Sequence, residues 1–84
     1  MLQFGIIGTG RIGDMHARLV AAQPDATVTW CYDVFEDSAK RTADAVGARA
    51  TTDLDTLLRA DDVDAVLIAS PTNTHVEMIL RSAE

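Results

Sequence analysis

The sequence predicts an α/β fold, in which a parallel sheet of about four strands is doubly wound by helices on both faces. Three observations predict it. A glycine-rich turn at residues 8–13 follows a short apolar run and precedes a helical pattern. A second run, of β-branched and aromatic residues, ends at Asp33. Residues 65–69 are continuously apolar, as is typical of a parallel strand that helices cover on both sides.

The first strand covers residues 4–7 and leads into the turn Gly8-Thr9-Gly10-Arg11-Ile12-Gly13. The spacing Gly-x-Gly-x-x-Gly is weak evidence alone, but between a strand and a helix it is typical of dinucleotide-binding turns. The first glycine allows a sharp bend, the second lets the backbone approach a pyrophosphate, and the third lets the helix pack closely against the sheet. Amide groups around Arg11 and Ile12 are expected to face the anion. All six are candidate cofactor-binding residues; the alternative is a tight turn that binds no ligand.

The first helix is predicted from about residue 12 to residue 23, before Pro24. A lone histidine in this helix is interpreted as an ordinary helix residue and not as a base or a ligand. The predicted buried face consists of Ile12, Met15 or His16, Leu19 and Val20.

The second strand, residues 27–32, alternates with period two and ends at Asp33. Asp33 follows Gly13 by about 20 residues, the interval at which Rossmann-type folds place a carboxylate that binds the adenosine ribose hydroxyls. This carboxylate would repel a 2′-phosphate, and Val34 stands where an NADP-binding protein usually has a basic residue nearby. The sequence therefore predicts NAD as the cofactor. The alternative is that Asp33 only caps the next helix.

Further elements follow in the same alternation. A second helix, residues 35–46, ends at Gly47, and residues 48–51 form a short third strand. Thr52 and Asp55 are expected to cap a short helix. The apolar residues assigned to these two helices are Phe35, Ala39, Thr42, Ala43 and Val46 in the first, and Leu54, Leu57 and Leu58 in the second.

Three acidic residues, Asp61, Asp62 and Asp64, precede the fourth strand at residues 65–69. Calcium loops combine several kinds of oxygen ligand with a glycine turn, which this segment lacks. We interpret the three carboxylates as a solvated turn.

The loop after the fourth strand reads Ser70-Pro71-Thr72-Asn73-Thr74-His75. Ligands of open parallel sheets bind beyond the carboxyl ends of the strands, where the strand order reverses. Strands one and four flank that point, so this loop and the glycine turn are expected to line one crevice. The candidate cofactor-binding residues of the loop are Ser70, Pro71, Thr72, Asn73 and His75, with ordinary turn and cap chemistry as the alternative.

The last segment is predicted to be a helix, capped by Thr74 and Glu77 and containing Val76, Ile79, Leu80 and Ala83. Residues 65–69 would lie at an exposed sheet edge if nothing paired with them, so a fragment of this length is expected to be marginally stable or to aggregate.

Composition excludes several classes of partner. The 84 residues carry a net charge of -6, with no cluster of lysine or arginine, which disfavours nucleic acid and anionic membranes. Cys31 is the only cysteine and cannot form an internal disulfide. Without a signal-like or long apolar segment, the protein is expected to be cytoplasmic.

The motifs resemble the N-terminal part of the Gfo/Idh/MocA oxidoreductases, and most closely their inositol 2-dehydrogenase-like members. The resemblance covers essentially the whole chain and rests on residues 4–13, 32–33 and 63–69. Its most discriminating part is the form Ala-x-Pro-Thr-x-x-His, which residues 69–75 match.

The resemblance implies that residues 1–84 are the N-terminal part of an NAD(P)-binding Rossmann domain, followed in the family by an α/β substrate domain. It implies NAD-dependent oxidation of a secondary alcohol of a cyclitol or sugar, with residues 70–75 beside the nicotinamide and Asp33 at the adenosine. The family's catalytic Lys, Asp and His lie outside these residues, so no catalytic residue is predicted here. It also implies a homo-oligomer formed through the second domain. The alternatives are a non-catalytic dinucleotide-sensing module and, with a poorer fit, a methyltransferase that uses S-adenosylmethionine.

Overall fold

The computed structural model describes residues 1–69 and 77–80. Within them, five strands and three helices follow one another as β1 (Leu2–Ile7), α1 (Arg11–Ala21), β2 (Ala26–Tyr32), α2 (Glu36–Val46), β3 (Arg49–Thr51), α3 (Leu54–Arg59), β4 (Ala65–Ile68) and β5 (Glu77–Leu80). None of the described helices is long and apolar enough to span a membrane.

The strands form one sheet in the order β3-β2-β1-β4-β5. The pairs β1–β2, β1–β4 and β2–β3 are parallel, which confirms the predicted α/β architecture. Strands β2 and β3 lie in sequence on one side of β1, whereas β4 pairs with the other side of β1. The strand order therefore reverses between β1 and β4, where the sequence places the crevice.

The core lies between one face of the sheet and the helices α1 and α2. Leu57 of α3 is also fully buried and packs over Gly5 on the other face. Helices therefore cover both faces, as predicted for a doubly wound sheet. The principal core residues are Phe4, Ile6, Ala17, Val28, Cys31, Ala43, Ala65 and Leu67.

The predicted buried face of α1 is wrong for Ile12, Met15 and Leu19 and is confirmed for Val20, which is partly buried against the core. The buried residues are the small ones, Gly13 and Ala17, whereas Ile12, Met15 and Leu19 are 50%, 48% and 53% exposed. Gly13 and Ala17 are four positions apart and share one face of the helix. Small side chains let the helix backbone approach the sheet closely, so steric fit rather than hydrophobicity selects the buried face.

Strand β2 contains a β-bulge that breaks the predicted alternation. Val28 and Trp30 pair with consecutive residues of β1, which leaves Thr29 as the extra residue. Val28 and Cys31 are consequently both buried although they are three positions apart. The Thr29 hydroxyl donates to the carbonyl oxygen of Asp62 at 2.6 Å.

The predicted helix at the end of the chain is wrong over residues 77–80, which form β5, antiparallel to β4. A short apolar run cannot be assigned to helix or strand from its periodicity alone. The free edge of β4 would present unpaired backbone N–H and C=O groups, and pairing with β5 satisfies them. The condition for an exposed edge, that nothing pairs with this strand, is therefore not met over residues 65–68. The rest of the predicted helix lies outside the described residues.

The start of α3 also differs from the prediction, because Asp53 rather than Thr52 is the N-cap residue. Its carboxylate accepts hydrogen bonds from the Asp55 N–H at 3.1 Å and the Thr56 hydroxyl at 3.2 Å. A carboxylate at the N-cap satisfies the first helical amides. The helix contains Leu54, Leu57 and Leu58 as predicted, of which Leu57 is fully buried and Leu58 is 43% exposed.

Helix α2 begins at Glu36 and ends at Gly47, whose φ of 74° is the predicted left-handed stop. Phe35, predicted as the first apolar residue of this helix, is instead its N-cap residue and is 72% exposed. In the acidic turn, Asp62 accepts a hydrogen bond from the Trp30 indole at 2.9 Å. Asp64 accepts one from the backbone N–H of Gln3 at 2.9 Å.

The helices α1 and α2 are joined by a partly buried hydrogen bond, which the buried Thr42 hydroxyl donates to Asp14 at 2.6 Å. This bond is the main reason why the pKa of Asp14 lies below 3.8; burial opposes it and Arg18, at 2.8 Å, assists it. Because the pKa of Asp14 is depressed, the bond stabilises the folded protein above pH ~4. This contribution is lost at lower pH as Asp14 is protonated.

Replacing Thr42 by valine is expected to lower the free energy of unfolding by about 1.5–3 kcal/mol at neutral pH, because the bond joins a hydroxyl to a charged acceptor. The loss should shrink at pH 3. Urea unfolding of the full-length protein at both pH values measures it. The matched control is Thr52→Val at an exposed position, expected to change stability by less than about 0.5 kcal/mol. An equal loss at both pH values would contradict the role of Asp14.

Candidate cofactor-binding site

The glycine turn begins with a bend that only glycine tolerates. Gly8 has φ +96°, and a Cβ built on it would lie 2.1 Å from the carbonyl oxygen of Ala69. Its own N–H donates to the Tyr32 carbonyl at 2.8 Å. The chain therefore leaves β1 through a narrow gap between β2 and the end of β4.

The other two glycines of the motif differ in what surrounds them. A Cβ built on Gly13 would lie 1.8 Å from the Gly8 carbonyl oxygen, so the start of α1 rests against the turn. For Gly10, no heavy atom of the described residues lies within 4 Å of such a Cβ. Folding demands a glycine at Gly13, whereas at Gly10 the space remains open to a ligand.

The start of α1 is suited to bind an anion. The helix begins at Arg11, and its N-cap residue Gly10 provides no side chain to satisfy the first amides. The first amides of a helix lack intrahelical partners and carry the positive end of the helix dipole. This arrangement is the one that binds phosphate groups in dinucleotide sites.

The Asp33 carboxylate is fixed at both of its oxygens. Oδ2 accepts the Thr9 N–H at 2.9 Å and the Thr9 hydroxyl at 3.1 Å. Oδ1 accepts the Phe35 N–H at 3.0 Å. Asp33 thus does cap the segment before α2, but the same carboxylate also ties the glycine turn to the end of β2.

These contacts keep Asp33 ionised. Burial alone would raise the pKa of Asp33, but the N–H groups of Phe35, Thr9 and Val34 and the Thr9 hydroxyl outweigh it and hold the pKa below 3.8. A carboxylate therefore stands at the tip of β2 throughout the neutral pH range.

Ser38 in the first turn of α2 completes this network, although it was not predicted as a site residue. Its hydroxyl lies 2.9 Å from the Thr9 hydroxyl and donates to the Thr9 carbonyl at 3.0 Å. Thr9 is fully buried. A hydroxyl residue one turn into the helix after Asp33 was the available signal, but only the tertiary structure shows that it meets the glycine turn.

One cavity of about 600 Å³ brings the predicted groups together. This volume is typical of small-molecule and cofactor sites. Thr9 does not line the cavity, since its side chain is buried behind Asp33. Ser70, Pro71, Thr72, Asn73 and His75 lie outside the described residues, so their assignment stays a prediction. The predicted residues that do line the cavity are Gly8, Gly10, Arg11, Ile12, Gly13 and Asp33; sequence reasoning missed Ile7, Tyr32, Val34, Phe35, Ser38, Ile68 and Ala69.

Residues 2–84 match the family model of an oxidoreductase family with an NAD-binding Rossmann fold, GFO_IDH_MocA. This chain belongs to the Gfo/Idh/MocA oxidoreductase family. Membership confirms the resemblance stated above, the Rossmann-type fold and NAD as the cofactor of the family.

Individual Gfo/Idh/MocA proteins show the same relationship. Inositol 2-dehydrogenase of Rhizobium meliloti (strain 1021) is 40% identical over 82 residues, which cover 98% of this chain and 24% of that protein. Myo-inositol 2-dehydrogenase of Thermotoga maritima is 37% identical over 84 residues, covering 99% of this chain and 25% of that protein. The chain therefore spans about a quarter of the length of these relatives.

Solved structures of Gfo/Idh/MocA proteins superpose on the chain. A myo-inositol dehydrogenase from Corynebacterium glutamicum gives a TM-score of 0.80 at 40% identity, over 86% of this chain and 22% of that one. Myo-inositol dehydrogenase from Lactobacillus casei, solved in complex with NAD(H) and myo-inositol, gives 0.79 at 27% identity, over 89% of this chain and 23% of that one.

Proposed function

We propose that this chain forms the N-terminal, NAD-binding part of a dehydrogenase that transfers a hydride between NAD and a secondary alcohol of a cyclitol or sugar. The observation that carries the proposal is the position of Asp33. Its ionised carboxylate shares one cavity with the start of α1 in a Gfo/Idh/MocA chain. The relatives named above as inositol dehydrogenases support the substrate class.

The cavity fits the two polar parts of the adenosine half of NAD. The first amides of α1, which Gly10 leaves without a side-chain cap, would hold the pyrophosphate, and Arg11 beside them is a matching cation. Asp33 would accept hydrogen bonds from the ribose hydroxyls. When bound, NAD supplies the hydride acceptor of the reaction.

Apolar side chains at the same cavity suit the adenine ring. Ile12, Val34 and Phe35 line it and are 50%, 68% and 72% exposed. Large exposed apolar side chains around a few polar groups are typical of a ligand site. We assign these three residues to the adenine end of the cofactor.

Residues 70–75 are proposed to line the nicotinamide end, and the catalytic Lys, Asp and His are proposed to come from a following strand and an α/β substrate domain. We further propose a cytoplasmic homo-oligomer that acts on small molecules. The net charge of -6 supports the exclusion of nucleic acid and anionic membranes as partners.

Calorimetric titration of the full-length protein with NAD, NADP and S-adenosylmethionine tests the cofactor. We expect NAD to bind at least about tenfold more tightly than NADP, because the Asp33 carboxylate repels a 2′-phosphate. Tighter binding of NADP or of S-adenosylmethionine would contradict the assignment.

Formation of NADH with a panel of cyclitols and sugars, followed by absorbance, tests the reaction. We expect turnover with at least one cyclic polyol. NAD binding without reduction by any member of the panel would favour a dinucleotide-sensing module instead.

A further inference from the structure

The least expected feature of the site is the side chain of Thr9, which is fully buried within the glycine turn. Its side chain does not line the cavity. Both polar donors of this residue, the N–H and the hydroxyl, reach the same oxygen, Oδ2 of Asp33, at 2.9 Å and 3.1 Å. Thr9 would therefore act on a molecule bound in the cavity only through Asp33.

The hydrogen bonds from Thr9 and Phe35 occupy most of the acceptor positions of the Asp33 carboxylate. Each carboxylate oxygen has two lone pairs, so a carboxylate accepts about four hydrogen bonds. Thr9 occupies both positions on Oδ2, and the Phe35 N–H occupies one on Oδ1. The terminal torsion of an aspartate is otherwise broad, so bonds at both oxygens hold the carboxylate plane in one orientation. The Val34 N–H makes a smaller contribution to the same carboxylate. Oδ1 accepts one fewer of the hydrogen bonds from Thr9 and Phe35 than Oδ2 does, so Oδ1 is the oxygen that faces the ribose hydroxyls in the proposal below.

Ser38 directs the Thr9 hydroxyl toward Asp33. The two hydroxyls supply two protons for three contacts: between the hydroxyls, from Ser38 to the Thr9 carbonyl, and from Thr9 to Asp33. The charged acceptor forms the stronger hydrogen bond, so the Thr9 proton goes to Asp33. The Ser38 proton is then shared between the two oxygens of Thr9.

We propose that Thr9 is a positioning residue for the cofactor: its hydroxyl, supported by Ser38, fixes the Asp33 carboxylate in the orientation that binds the adenosine ribose hydroxyls and rejects a 2′-phosphate. The inference rests on the function proposed above. The conformational entropy of the Asp33 side chain is lost during folding, so it is not lost again when NAD binds. Thr9 therefore contributes to NAD affinity without contacting NAD.

The test compares Thr9→Val, which removes only the hydroxyl, with Thr9→Ser, which keeps it, by titrating NAD and NADP into the full-length protein. Thr9→Val is expected to raise the Kd for NAD about tenfold and the Kd for NADP less than about twofold, whereas Thr9→Ser stays within about threefold of the wild type. At saturating NAD the Thr9→Val enzyme should keep its kcat, since only the KM for NAD depends on this carboxylate.

Two further variants separate positioning from general damage. Thr42→Val removes another buried hydroxyl that also donates to an aspartate, but away from the cavity, and should leave both Kd values unchanged. In an Asp33→Ala background, Thr9→Val should have no further effect on NAD binding, because the group through which it acts is gone. If Thr9→Val does not fold, Ser38→Ala takes its place, with an expected rise of about threefold in the Kd for NAD and none for NADP.

Equal losses for NAD and NADP, additive effects of Thr9→Val and Asp33→Ala, or a Thr9→Val protein that binds NAD as the wild type does would each overturn the proposal. A wild-type protein that does not bind NAD would instead overturn the proposed function, and this inference with it.

Discussion

Alanine at Gly13 is expected to prevent stable folding, whereas alanine at Gly10 is expected to leave the fold intact and weaken NAD binding. A Cβ on Gly13 would lie 1.8 Å from the Gly8 carbonyl oxygen, and neither backbone segment can move without separating α1 from the sheet. We expect a loss of about 4 kcal/mol or more, a large part of the stability of an ordinary domain. Thermal unfolding of the full-length protein measures this loss.

Gly10 provides the matched control for Gly13. Its φ of -67° suits alanine, and no described atom lies within 4 Å of the added methyl group. The change in stability should stay near 1 kcal/mol, the usual difference between glycine and alanine at an N-cap. The methyl group would stand where the pyrophosphate is proposed to approach, so the Kd for NAD should rise at least about tenfold. Equal stability of Gly10→Ala and Gly13→Ala would contradict the structural role of Gly13. An unchanged Kd for NAD in Gly10→Ala would contradict the binding role of Gly10.

Asparagine at Asp33 is expected to be far more damaging than its similar shape suggests. Both oxygens of Asp33 accept backbone N–H groups, Oδ2 from Thr9 and Oδ1 from Phe35. In either orientation the amide NH₂ of asparagine would face one of these donors. We expect a loss of about 1–3 kcal/mol in stability, because one partly buried N–H is left without its acceptor.

The same substitution is expected to weaken NAD binding about 30-fold or more, since it removes the charged acceptor proposed for the ribose hydroxyls. NADP should lose less affinity because the repulsion of its 2′-phosphate disappears as well. Titrations with both cofactors measure the change in preference. Asp37→Asn, in the exposed first turn of α2, is the control and should change either Kd less than about twofold. An unchanged ratio of the two Kd values in Asp33→Asn would contradict the assignment of NAD specificity to Asp33.

Local chemistry made the main parts of the site predictable. A sharp bend after β1 requires glycine at Gly8, and a strand that ends at Asp33 brings its carboxylate to the same edge of the sheet as the turn. Both facts depend on short stretches of chain and on the rule that neighbouring parallel strands end at one edge. The sequence alone therefore predicted that the glycine motif and Asp33 share one site.

The alternatives at Asp33 could not be separated in the same way. The sequence offered a ribose ligand or a helix cap, and the structure shows that the carboxylate caps the segment before α2 through Phe35 while it lines the cavity. The two readings are compatible because a carboxylate has more acceptor positions than one cap uses.

What the sequence determined by itself was the order of elements from β1 to β4, the glycine turn, Asp33 and the point where strand order reverses, because each depends on residues close together along the chain. Only the tertiary structure decided the buried face of α1, the bulge at Thr29, the pairing of β5 and the contacts of Thr9 with Ser38. These depend on how closely distant backbones approach one another and on which strand edge is left to pair. The periodicity of a single segment encodes neither the distance between backbones nor the choice of the strand edge.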